Sequence, residues 1–144
     1  MTNDVQKTLS HRAYIENGIL YLEFINQISA QNVLDNQIEA LKLLNEQKIK
    51  TIPVVVILKD IDKTGFKIPM GSFGKAIRGF DLVKRASAIW IVGAKGEVKN
   101  VVSLMNRVFF SGRMYLVDTV EEAQKNARQF LSDSESILEK EEKE

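Results

Sequence analysis

Eight consecutive residues, Thr51 to Leu58 (TIPVVVIL), constrain this chain more than any other stretch. Successive side chains of a strand point to opposite faces, so a nearly unbroken β-branched run needs both faces covered. That places it at the centre of a sheet with helices packed on it. Pro53 has no N–H to give to a ladder and is tolerable only near the start of such a strand. The flanking sequence must therefore supply neighbouring strands and covering helices.

Upstream, Leu9, His11, Ala13 and Ile15 alternate with Ser10, Arg12, Tyr14 and Glu16, which predicts a strand with one wet face over 8–16. Asn17-Gly18 is a strong two-residue hairpin signal, because both central residues of a type I′ turn need positive φ. Ile19 to Ile25 is then the antiparallel return strand. Ser29 caps a helix running to about Gln47, with Leu34, Ile38, Leu41 and Leu44 or Leu43 expected on one face and Gln31, Asp35, Glu39, Lys42 and Glu46 on the other.

Downstream, Phe73, Ile77 and Phe80 fall at helical spacing and predict a short helix over Ser72 to Phe80, weakened by Gly74. Arg85 to Val92 reads as a second buried strand with Trp90 in its core. Gly93-Ala94-Lys95-Gly96 turns it into a helix over Glu97 to Phe110, which Ser111-Gly112 stops. Arg113 to Val117 is a last short strand. Thr119 and Glu122 form the capping box of a final helix whose Val120, Ala123, Ala127, Phe130 and Leu131 make an apolar stripe. The predicted class is α/β: a mixed sheet of about five strands with an N-terminal antiparallel hairpin, strand–helix alternation after it, and about four helices mainly on one face.

The length of 144 residues suits one domain, here 8–131, preceded by a frayed 1–7 and followed by the segment 132–144, expected to be solvated and partly helical or disordered. That last segment carries six acids against two lysines, whereas Lys59 to Arg113 holds eleven bases against four acids. These bases are spread over loops, strands and several helix faces without aromatic interleaving, and the pI is 7.9, so nucleic acid is not the expected partner. An acidic protein or an anionic small ligand fits as well. No run approaches the ~20 apolar residues of a membrane span and MTNDVQKTLS lacks a signal-peptide core, which points to the cytoplasm. With no cysteine and one histidine, His11, thiol chemistry and cysteine-held metals are excluded, and neither a metal nor a cofactor is expected.

Loops leaving the carboxyl ends of parallel strands cluster on one edge, where ligands and partners usually bind. Here that edge comprises Lys59 to Met70 and Gly93 to Gly96. Lys95 and Gly96 at a helix start are candidate anion-binding residues, without the G-x-x-x-x-G-K-[ST] spacing of a phosphate loop. Asp60 and Asp62, spaced by one residue among lysines, read as a solvated loop before they read as paired catalytic carboxylates. Phe66, Ile68, Met70 and Phe73 could line an apolar pocket, which gives the alternative of a small-ligand carrier.

The hairpin, the long amphipathic helix, the VVVIL strand, the IWIV strand and the closing DTVEEAQKNARQFL helix, with Asp118, Glu121, Glu122 and Ala123, together resemble the STAS domain. More narrowly they are similar to its SpoIIAA-like branch, named after the bacterial anti-sigma factor antagonist. The resemblance covers Thr8 to Leu131 and includes no catalytic fingerprint. It implies a non-enzymatic regulatory module that docks on a protein partner, such as an anti-sigma factor or kinase-like regulator, and is switched by serine phosphorylation. The family's switch, Asp-Ser-Ser/Thr-Gly-Leu, aligns best with Asp62, Lys63, Thr64, Gly65 and Phe66. Lys63 stands at the acceptor position and cannot take a phosphate. Ser72, which opens the following helix near Arg78, is the remaining candidate acceptor, and its ordinary reading is an N-cap. The implied partner-binding residues are Asp62 to Phe66, Ser72, Phe73 and Arg78; a homodimer is also an expectation.

Overall fold

The computed structural model describes residues 11–61, 81–107 and 113–143. These form a five-stranded sheet in the order β1-β2-β3-β4-β5, with β1 His11–Glu16, β2 Ile19–Ile25, β3 Ile52–Lys59, β4 Ala86–Val92 and β5 Met114–Val117. β1 pairs antiparallel with β2, and every other neighbouring pair is parallel. The TIPVVVIL run is thus the middle strand, as its double-sided apolar character requires. Asn17 and Gly18 take φ of 52° and 78°, the left-handed pair a type I′ turn demands, and set Glu16 opposite Ile19.

Among the described residues three longer helices cover the sheet: α1 Ala30–Glu46, α2 Glu97–Met105 and α3 Val120–Lys143; a five-residue helical segment, Asp81–Arg85, leads into β4. The predicted helix over Ser72–Phe80 lies outside the described residues. α1 and α2 cover one face, where Leu20, Leu22, Val54, Ile89 and Ile91 meet Ala40, Leu44, Val98 and Val102. α3 covers the other face, and this departs from the expectation of helices mainly on one side. Ala123 and Ala127, both fully buried, let its backbone approach Tyr21, Val55, Ile57, Ala88 and Trp90 closely. Trp90 is buried as expected, with Phe130 edge-on at 5.8 Å and Tyr115 stacked at 5.7 Å. β3 needed cover on both sides, and the small-residue stripe of α3 supplies the second. α3 starts on the Thr119 cap, whose hydroxyl accepts the Glu122 N–H at 3.1 Å, and its backbone stays helical through most of the acidic segment.

α1 begins at Ser29, whose hydroxyl accepts the Asn32 N–H while Asn32 returns the contact to the Ser29 N–H. It ends with Lys48 in the left-handed region at φ 58°, the Ile49 N–H on the Leu44 carbonyl and the Lys48 N–H on that of Asn45. This is a Schellman ending with lysine where glycine is usual. Arg85 then clamps the same end, donating to Asn45 Oδ1 at 2.7 Å and to the Ile49 and Lys50 carbonyls. The helix is rotated from the predicted orientation. Asn36, Gln37, Ala40 and Leu44 face the sheet, and Leu34 and Ile38 face away from it. Asn36 fixes the rotation by donating to the Arg12 carbonyl of β1 at 2.8 Å, and Ala40 lets the helix sit close.

Candidate functional site

Three neighbouring parallel strands stop in the same way. β2 ends into Asn26 at φ 66°, β3 into Asp60 at φ 55° and β4 into Gly93 at φ 87°. A left-handed residue after an extended one turns the chain sharply, so the three segments leave the sheet along one edge. The rim is tied together laterally. The Asn26 N–H donates to the Lys59 carbonyl at 2.9 Å, and Gly93 lies so close to Leu58 that a Cβ there would run into the Leu58 carbonyl oxygen.

A buried charge lies just below this rim. Glu23 interrupts the apolar ILYLEFI of β2 and is only 3% exposed, on the face that α3 covers. A carboxylate in that position must be paired to stay ionised. Lys59 Nζ reaches Glu23 Oε1 at 2.7 Å from β3, and Arg12 Nη1 approaches Oε2 at 3.4 Å from β1. The row Arg12–Glu23–Lys59 therefore crosses three adjacent strands. Both cations are about half exposed, so each reaches the buried carboxylate while part of its side chain stays in water. The Arg12 guanidinium lies 5.0 Å over the Tyr14 ring, which stacks on Tyr21 at 5.0 Å. Burial first, and then the Glu23 charge, push the Tyr14 hydroxyl above the ordinary tyrosine value, against a smaller opposite effect of Arg12.

Of the residues expected from sequence, Lys95 and Gly96 lie at this edge and are exposed. The Val98 and Lys99 N–H groups at the start of α2 donate to the Lys95 and Gly96 carbonyls at 3.1 Å each, so two amides that an anion would use are already taken. Asp60 is exposed beside Lys59. Asp62, Lys63, Thr64, Gly65, Phe66, Ser72, Phe73 and Arg78 lie outside the described residues, as does the apolar pocket they were expected to flank. His11 lies on the face of α1, its Nδ1 3.9 Å from Glu39 Oε2. Among the described residues no three His, Cys, Asp or Glu side chains gather as metal ligands, and no helix is long and apolar enough to cross a membrane.

Neither Arg12 nor Glu23 was singled out from sequence, although a signal existed. A two-residue turn at Asn17-Gly18 pairs residues whose numbers sum to 35, which puts Arg12 opposite Glu23. An acid inside an apolar strand with an arginine directly across from it is a readable ion pair. Comparison with protein-family models, curated proteins and solved structures finds no match to this chain.

Proposed function

We propose that this chain is a non-enzymatic interaction module of the STAS type that docks a protein partner through the segment following β3. The observation that carries the reading is the anchorage of that segment's root. Lys59 is held through its side chain by the buried Glu23 and through its carbonyl by Asn26. Leu58 before it packs against Gly93. A fixed root on a rigid sheet sets the point from which a segment leaves, which is the common arrangement of binding loops. Arg12 and Lys59 are half exposed while Glu23 is buried, so the charge shown to solvent here beside Asp60 is net positive, which favours an acidic partner surface. Phe66 and Phe73 supply the apolar anchors, and Ser72 is the position where a phosphate would alter docking.

The test is capture of partners from the source cell with the parent chain and with a Phe66→Ala/Phe73→Ala variant as bait, followed by intact-mass measurement. The expected result is a partner held by the parent and lost by the variant, with Trp90 fluorescence unchanged. Equal capture by both baits would remove the docking role from this segment. A Ser72→Ala chain that is modified like the parent would remove Ser72 as acceptor.

A further inference from the structure

α1 carries an apolar seam to one side of the face it turns to the sheet. Ile38 is 57% exposed and Leu34 42%, and the half-buried Leu41 continues the line at spacings of four and three. Spacing of this kind is the a/d repeat with which one helix packs along another. The side chains that face the sheet, Asn36, Gln37, Ala40 and Leu44, centre about 100° round the helix from this line, which leaves Ile38 and Leu34 exposed. Asp35 and Lys42 flank it together on one side, seven residues apart, at positions that sit beside the core of a helix pair.

We propose that the seam is a homodimer interface in which α1 packs antiparallel against α1 of a second copy about a two-fold axis at Ile38. The charges commit the surface to its own copy. In an antiparallel pair centred on Ile38, residues at equal height have numbers that sum to about 76. Ile38 then meets Ile38, and Leu34 meets Leu41 from the other chain on one flank. On the other flank Asp35 meets Lys42, and the symmetry repeats this pair. A parallel arrangement would put the Asp35 and Lys42 flanks of the two helices on opposite sides of the pair, where these charges do not meet. One acid and one base, placed nearly symmetrically about the most exposed apolar residue, therefore give two opposite-charge pairs in the antiparallel orientation and none in the parallel one.

Sedimentation equilibrium on the full chain tests this. The parent is expected to dimerise reversibly in the micromolar range, as suits a single helix pair. Ile38→Glu, at an exposed position, should weaken association about 100-fold or more, because the change enters the interface twice. Asp35→Lys and Lys42→Asp should each weaken it about tenfold, and the double reversal should recover the parent value to within about threefold. The chain has no cysteine, so Ile38→Cys gives a single thiol, expected to close a symmetric disulfide under mild oxidation. A monomeric parent at about 0.5 mM, far above the micromolar range expected for such an interface, would overturn the proposal. So would an Ile38→Glu chain that still dimerises, a double reversal no better than the singles, or an Ile38→Cys chain that stays uncrosslinked while the parent is dimeric.

Discussion

Removing Lys59 should cost more stability than neutralising Glu23, although the two belong to one ion pair. The asymmetry follows from exposure. Glu23 has no route to water, whereas Lys59 and Arg12 already keep their heads in solvent. Lys59→Met retains most of the stem but deletes a 2.7 Å charge-assisted bond and leaves a buried carboxylate facing Arg12 alone at 3.4 Å. Hydrogen bonds to charged groups contribute about 1.5–3 kcal/mol, and losing one partner of a buried pair costs up to about 5 kcal/mol when nothing else compensates. With Arg12 still present, the expected loss is about 2.5 kcal/mol. Glu23→Gln keeps the shape and one acceptor and frees two cations that can hydrate, so it should cost about 1 kcal/mol. The double variant Glu23→Gln/Lys59→Met should then cost about 1.5 kcal/mol, well below the sum, because the Lys59 change no longer strands a charge. Urea unfolding followed through Trp90, the single tryptophan and a buried one, reads these differences. For a chain this size, 2.5 kcal/mol moves the midpoint by about 1.5 M. If Lys59→Met is no worse than Glu23→Gln, or the two effects add, Glu23 is not held as an uncompensated buried charge and the anchored-root argument loses its basis.

Three further outcomes follow from local geometry. Gly93→Ala should destabilise by about 3 kcal/mol, since it adds left-handed strain to a backbone clash at the Leu58 carbonyl, measurable by the same urea titration. Lys48→Gly should stabilise by up to about 1 kcal/mol by relieving the left-handed lysine at the end of α1; a loss of stability there would mean that the Lys48 side chain has a role beyond the turn. The raised Tyr14 hydroxyl predicts a stability contribution fully present below the ordinary tyrosine range and lost as pH rises through the folded-state value, because the unfolded chain releases its proton first. Unfolding curves of the parent and Tyr14→Phe on the alkaline side should diverge in that direction, and parallel curves would refute it.

The strand order was legible wherever local chemistry admits a single solution. A two-residue Asn-Gly turn sets the register of β1 on β2, and the Thr51–Leu58 run can only be central. The Ser29 and Thr119 caps also stand where their side chains and the following residues predict them. Where local chemistry leaves two solutions, sequence alone does not choose between them. An apolar stripe on a C-terminal helix is compatible with either face of a sheet, and only the need of β3 for a second cover sends α3 to the side opposite α1 and α2. The root of the β3 loop was legible as an edge, but not as an anchored one, because the anchor is a pair of contacts between strands far apart in sequence.

α1 shows most clearly what periodicity leaves undecided. Its sequence contains two apolar lines at helical spacing: Leu34, Ile38 and Leu41 on one side, and Val33, Ala40 and Leu44 on the other. By hydrophobicity the first is the stronger, and the expected core face joins it to Leu44 or Leu43; of these, Leu44 is buried. The sheet takes the second, because a helix covering an edge hairpin gains from a small residue at the point of closest approach and from a donor to a carbonyl of β1. Ala40 and Asn36 provide these, and they sit on the weaker line. The cost is an exposed Leu34 and Ile38. A single exposed leucine would need no explanation, but two large apolar side chains on the line of a helix seam, flanked by a self-complementary Asp35 and Lys42, are better explained by a surface that a second copy covers. The rotation of α1 and the proposed dimer are therefore one argument, since the residues that lock the helix onto its own sheet are those that leave Leu34 and Ile38 exposed.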